Sequence, residues 1–274
     1  MELALLKWIQ SFSSPFWDGM FQLITILGEQ WAVILVLAVS YWAFDKKTGE
    51  ELAFTLLVSG LSNNILKGFF RFERPIGIDG IRTLRAHTAT GYSFPSGHSQ
   101  NAATLYFFPA RRGGGWRWAA AAVVSLLVGQ TRLYLGMQYP EDVAAGLALG
   151  FAAVFVCPRL WNRFDHRKML AIMTGVSFLL TIALGQQDLY KAFGLLVGFW
   201  AGIEFERRFV SFSNQVSTGK KILRVLLGLF LLGGAQFLLG LLFPPLFWWD
   251  AARYALLVFA ALGLYPMIFR KVGF

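Results

Sequence analysis

Thr131-Arg132-Leu133-Tyr134-Leu135-Gly136-Met137-Gln138-Tyr139-Pro140-Glu141-Asp142 is a polar island between two apolar runs, at about 116–134 and 141–158. Two more islands have the same character. Lys67-Gly68-Phe69-Phe70-Arg71-Phe72-Glu73-Arg74-Pro75 ends the apolar run at about 49–71, and Pro95-Ser96-Gly97-His98 opens the run at about 98–110. Lys67, Arg74 and Arg132 bring fixed positive charge, and His98 can carry a proton. Pro95-Ser96-Gly97 reads as a helix start with free backbone N–H groups. Cations, amide donors and an acid together suit a phosphate group.

Working outward, the remaining apolar runs fall at about 30–44, 169–187, 189–205, 222–243 and 250–269. Most approach the ~20 residues that a membrane-spanning helix requires. Backbone polar groups in lipid must be bonded within their own segment, so long apolar runs mean helices. The expected fold is therefore all-α: a polytopic transmembrane helical bundle of about nine helices. Composition agrees, since 56% of the 274 residues are hydrophobic and only 15% charged, with mean hydropathy +0.55. A soluble domain carries about 25% charged residues.

Residues 1–28 hold Lys7, Gln10, Pro15 and Asp18 among large apolar side chains, with Glu29 next. They read as amphipathic helices at the membrane interface, or as an irregular first span. The stretch lacks a basic start and a cleavage pattern, so no removed signal peptide is expected. The single Cys157 excludes an intrachain disulfide and a cysteine-built metal site. The net charge of +10 does not indicate a nucleic-acid partner, because the basic residues lie in short loops between apolar spans. Lys46-Lys47, Arg111 to Arg117, Arg159 to Lys168, Arg207 to Arg224 and Arg270-Lys271 fall on one side of a nine-helix arrangement. The positive-inside rule makes that side cytoplasmic. All three islands, with the loops at Gln186–Asp188 and Phe243–Pro245, then face outward.

The islands resemble the signature of the type 2 phosphatidic acid phosphatase superfamily, to which vanadium haloperoxidases also belong: Lys-x6-Arg-Pro, then Pro-Ser-Gly-His, then Ser-Arg-x5-His-x3-Asp. The first two motifs match fully. In the third, Thr131 replaces Ser, and Gln138 stands where the family has its nucleophilic histidine. The resemblance implies a phosphatase-like core over 1–185, including the N-terminal interfacial helices, and three added transmembrane helices over 186–274. It implies phosphate binding by Lys67, Arg74, Ser96, Gly97 and Arg132. His98 is expected to protonate the leaving alkoxide. Asp142 is expected to orient the residue at 138, whose family counterpart becomes transiently phosphorylated. The implied chemistry needs no metal or other cofactor, and the implied partners are a lipid phosphate or diphosphate and the surrounding membrane lipids. The implied location is a cell membrane.

Taken singly, these residues have blander readings. Lys67 and Arg74 are also what snorkelling cations at a membrane surface look like. His87 reads as a loop residue and His166 as one among solvated basic groups. Gln138 is the consequential departure. Its amide nitrogen is delocalised and not nucleophilic, though its size allows a hydrogen bond to Asp142, one helical turn on. The sequence keeps the phosphate cradle and the acid and loses the attacking group. Either the residue was changed to trap an inactive state, or the chain is a natural non-catalytic phospholipid-binding or lipid-transport protein. Direct attack by water is a third possibility.

Overall fold

In a computed structural model, residues 2–89, 91–244 and 246–273 are described. Pro245 and the side chains of His87 and Arg270, named above, lie outside the described residues. Those residues form helices and connections, with no strand among them. The α-helices are α1 Glu2–Ser11, α2 Pro15–Ile24, α3 Gln30–Ala38, α4 Lys46–Phe70, α5 Gly97–Ala110, α6 Trp116–Tyr134, α7 Pro140–Arg163, α8 His166–Leu184, α9 Gln187–Phe205, α10 Thr218–Leu242, α11 Phe247–Phe259 and α12 Tyr265–Val272. The apolar runs of the sequence are largely helical, and those at about 30–44 and 250–269 include the π-helical turns Val39–Phe44 and Ala260–Leu264.

Among the described residues, four segments are long and apolar enough to cross a membrane by themselves: Pro140–Arg163, His166–Leu184, Thr218–Leu242 and Phe247–Phe269. A fifth is added if the helices on either side of Glu29 form one broken span. On α10 the side chains of Leu226, Phe230, Phe237 and Leu241 stand exposed along the helix. A surface of that kind is stable against lipid and not against water. The protein is an all-α, multi-pass integral membrane protein.

The chain divides into two compact units. The first comprises Met1–Val33 and Val58–Arg159; the second comprises Ile34–Leu57 and Leu160–Phe274. In the first, α5 packs on α6, and α7 closes against the start of α5. Gly146 makes that approach possible: a Cβ there would lie 2.4 Å from the Ser96 carbonyl oxygen. A buried polar ladder links α4 to α5. Asn63 Nδ2 donates to Gln100 Oε1 at 2.8 Å, Gln100 Nε2 to the Ser59 carbonyl at 2.7 Å, and the Ser59 and Thr104 hydroxyls meet at 3.0 Å. Each member is buried and bonded, which fixes how the two helices register.

Within this unit α1 packs through Leu6 and Ile9, which join Ile81, Leu133, Leu135 and Met137 in one apolar cluster. Gln10 is buried among them. Its amide donates to the Arg82 and Tyr134 carbonyls at 2.7 and 2.8 Å and accepts from the Arg82 N–H at 2.8 Å. One side chain thus pins the 71–96 connection to the end of α6.

In the second unit, α9 lies along α11. Charge is internally matched here. Lys46 Nζ donates to both oxygens of Glu206 at 3.0 Å, and Arg207 pairs with Glu50 at 2.5 Å. His166, expected among solvated groups, instead stacks on Trp161 at 3.8 Å and bonds the Trp161 carbonyl through Nε2.

Candidate active site

All eight residues singled out by the motifs lie in the first unit. The first motif straddles the end of α4. Helix α4 stops at Phe70, earlier than Pro75 alone requires, because Arg71 adopts a left-handed backbone (φ 54°). Lys67, in the last turn, is buried, and its Nζ donates to the Tyr92 and Ser93 carbonyls. Arg74, half-buried, donates from Nε to the Gly91 carbonyl at 3.1 Å and from Nη1 to the Met137 carbonyl at 3.0 Å. That second bond sets its guanidinium beside the residue preceding Gln138.

Ser96 is the N-cap of α5, as expected. Its hydroxyl accepts from the Ser99 N–H at 3.4 Å and meets the Ser99 hydroxyl at 2.9 Å. Its own N–H donates to the Asp142 carbonyl at 2.9 Å, which ties the start of α5 to the start of α7. Gly97 and His98 form the first turn of α5, where unpaired N–H groups and the helix dipole favour an anion. The His98 Nε2 has no hydrogen-bond partner and stands 3.9 Å from Glu29 Oε1.

Arg132 is 1% exposed, near the end of α6. Its Nη1 donates to the Thr25 hydroxyl at 3.0 Å, and its Nε is buried without a partner. Asp142 is fully buried in the first turn of α7. One oxygen, Oδ2, accepts from the Ser93 hydroxyl at 2.5 Å and from the Tyr139 N–H at 2.8 Å. The other, Oδ1, has no partner. Lys67 and Arg74 both act on Asp142 electrostatically, and Arg74 and Arg132 both act on His98. Arg74 is the cation common to both groups, with Lys67 on the side of Asp142 and Arg132 on the side of His98.

The expected hydrogen bond between Gln138 and Asp142 is not formed. Position 138 lies in the non-helical stretch before Pro140, so it is not one helical turn from Asp142 on a shared face. Ser93 and Tyr139 already occupy Oδ2, and Gln138 Oε1 is itself buried without a partner. Two buried acceptors are thus unsatisfied, one on each residue.

Sequence reasoning missed Ser93, Thr25 and Glu29. Ser93 carries no pattern beyond lying two residues before Pro95. Thr25 is an ordinary residue in an apolar stretch. Glu29 did leave a signal, as an ionisable residue at the edge of the apolar run at about 30–44.

Residues 50–165 match the model of the PAP2 superfamily, and residues 190–274 match that of the PAP2 superfamily phosphatase transmembrane extension. The chain is 30% identical over 165 residues to the lipid A 4'-phosphatase of Porphyromonas gingivalis, covering 55% of this chain and 68% of that protein. It is 29% identical over 167 residues to a probable sphingosine-1-phosphate phosphatase of Dictyostelium discoideum, covering 56% of this chain but 41% of that one. The crystal structure of Aquifex aeolicus LpxE superposes with TM-score 0.53 and 23% identity over 58% of this chain and 94% of its own, a likeness of fold. The matched region contains all three polar islands and the helices that bring them together. The chain belongs to the PAP2 superfamily, as a multi-pass integral membrane member.

Proposed function

We propose that this chain holds the phosphate group of a membrane lipid between Lys67, Arg74, Arg132 and the start of α5, in a lipid phosphatase site whose covalent step is disabled at Gln138. The observation that carries this reading is Asp142. It is a fully buried carboxylate among cations, with one oxygen fixed by Ser93 and Tyr139 and the other unoccupied. A carboxylate kept only for structure has both oxygens bonded, because a buried unsatisfied acceptor costs ~1–3 kcal/mol.

The roles follow from the chemistry of each group. Lys67, Arg74 and Arg132 neutralise the phosphate oxygens and the charge that develops on them, so the chemistry needs no metal. The guanidinium of Arg132 grips two oxygens at once. Ser96 and Gly97 present the α5 amides. His98 delivers a proton to the leaving alkoxide. In a phosphohistidine mechanism, the residue at 138 attacks phosphorus while Asp142 steadies it. A glutamine has no lone pair available for that attack.

The substrate class is a lipid phosphate monoester or diphosphate, in keeping with relatives that are named lipid A and sphingosine-1-phosphate phosphatases. The one-sided distribution of loop cations supports a pocket that faces outward from a cell membrane, meeting the outer leaflet.

The test is binding. Detergent-solubilised chain is titrated with a lipid phosphate and with the same lipid lacking its phosphate. Preference for the phosphorylated lipid, lost in Arg132→Ala, is expected. Equal affinity for both lipids overturns the reading.

A further inference from the structure

The three motifs lie between residues 67 and 142, yet the structure brings a fourth segment to the same pocket. Thr25–Gly28 form a short 3-10 turn just before Glu29, upstream of the region matched by the PAP2 model. The turn is held against α5 at several points. Asn101 Nδ2 donates to the Gly28 carbonyl at 3.4 Å, and the Tyr106 hydroxyl to the Leu27 carbonyl at 3.1 Å. Gly28 itself packs on the backbone of His98: a Cβ at residue 28 would lie 2.8 Å from the His98 carbonyl oxygen and 2.6 Å from Val128 Cγ1. A glycine is needed for so close an approach.

That packing has a chemical result. Thr25 Oγ1 accepts from the buried Arg132 guanidinium at 3.0 Å. Glu29, its side chain only 13% exposed, is gripped by Arg85 at 2.7 Å, and its Oε1 stands 3.9 Å from His98 Nε2. The distance is within ion-pair range and beyond a hydrogen bond. Arg132 from α6 and Arg74 from the connection after α4 also act on the imidazole electrostatically, both opposing a positive ring. Glu29 is the carboxylate that faces it, and Arg85 and Arg132 in turn face Glu29.

We propose that Glu29 is a positioning residue of the phosphate pocket: its carboxylate governs when His98 carries a proton, so the segment at 25–29 completes the site built by the three motifs. The proposal rests on the phosphate-pocket reading above. Burial first, and the arginines after it, leave the His98 imidazole little tendency to hold a proton, whereas a carboxylate within 4–6 Å favours the charged ring. Thr25 does the corresponding work for Arg132, by holding the guanidinium in place without neutralising it.

The experiment uses the full chain in detergent, with Glu29→Gln, Glu29→Asp and His98→Asn. The probe is inorganic sulfate, a tetrahedral dianion whose own charge is constant across the range studied. The chain has three histidines, so the ring nitrogen signals of labelled histidine are assigned by loss of one set in His98→Asn. In Glu29→Gln, the midpoints of the His98 titration and of the fall in sulfate affinity are expected to move to lower pH by about one unit. Glu29→Asp is expected to fall between. Combined with His98→Asn, Glu29→Gln should leave the pH profile of sulfate binding unchanged. The proposal is overturned if His98 titrates at the same pH with and without the Glu29 carboxylate, or if sulfate affinity drops by one factor at every pH. Should Glu29→Gln not fold, Glu29→Asp and Arg85→Gln decide: Arg85→Gln is expected to move the His98 midpoint upward, and no movement in either variant counts against the proposal. If sulfate does not bind the unsubstituted chain, the pocket reading fails, and the His98 titration still judges Glu29 separately.

Discussion

Asp142 and Glu206 are both fully buried carboxylates close to cations, one in each compact unit, and they are held in opposite ways. Glu206 is saturated. Lys46 Nζ bonds both of its oxygens, and the Phe212 N–H donates to Oε1 at 2.9 Å. Asp142 has one oxygen anchored and the other idle. Arg207 and Arg132 also differ, though Arg207 is partly exposed. Arg207 is matched by Glu50 at 2.5 Å, while Arg132 gives one bond to a neutral threonine and keeps its Nε without a partner. An acceptor left idle in the interior costs stability that a saturated one does not.

The comparison breaks first at Glu206. Removing one member of a buried pair strands the other, so Glu206→Ala should lower stability by about 2–4 kcal/mol, with Lys46's partial exposure limiting the loss. Thermal unfolding in detergent reads it, and sulfate affinity should not change in the protein that remains folded. At Arg132 the effect should reverse. Arg132→Ala should reduce sulfate affinity by about 10- to 100-fold, the worth of a charge-assisted bond. Isothermal titration measures it, and an unchanged affinity would remove Arg132 from the pocket. The smallest effect is expected at Asp142. Asp142→Asn still accepts from Ser93, so stability should change by only ~1 kcal/mol or less. Sulfate should bind about fivefold more tightly once a carboxylate no longer repels it. Weaker binding in Asp142→Asn would mean that this carboxylate is not beside the anion.

Much of this architecture is legible in the sequence. Long apolar runs mark helices because lipid allows little else, and Pro95-Ser96-Gly97 marks a helix start because a serine cap and a glycine suit one. The geometry at Gln138 was not legible. Counting four residues to Asp142 assumed a helix through both, yet the chain turns into α7 only at Pro140. The supporting groups were hidden for a different reason. Ser93, Thr25 and Glu29 reach the pocket through tertiary packing from a connection and an N-terminal turn. No periodicity ties them to residues 107 or 69 positions away in the chain, as Thr25 is from Arg132 and Glu29 from His98. Gln10 likewise reads as one polar residue on an amphipathic helix and proves to be the buried pin of the 71–96 connection.

The central claim is that the phosphate pocket is whole and only its nucleophile is missing. Losing a covalent path worth ~8 kcal/mol slows turnover about a millionfold at 1.36 kcal/mol per decade. The direct measurement is phosphate release from a panel of lipid phosphates by the chain as it stands and by Gln138→His, with binding of the same lipids recorded in parallel. The account predicts binding by both, release by Gln138→His alone, and loss of that release when His98→Ala or Asp142→Ala is added. Hydrolysis by the unsubstituted chain at a rate equal to that of Gln138→His would contradict it, because the attacking group would then not be at position 138.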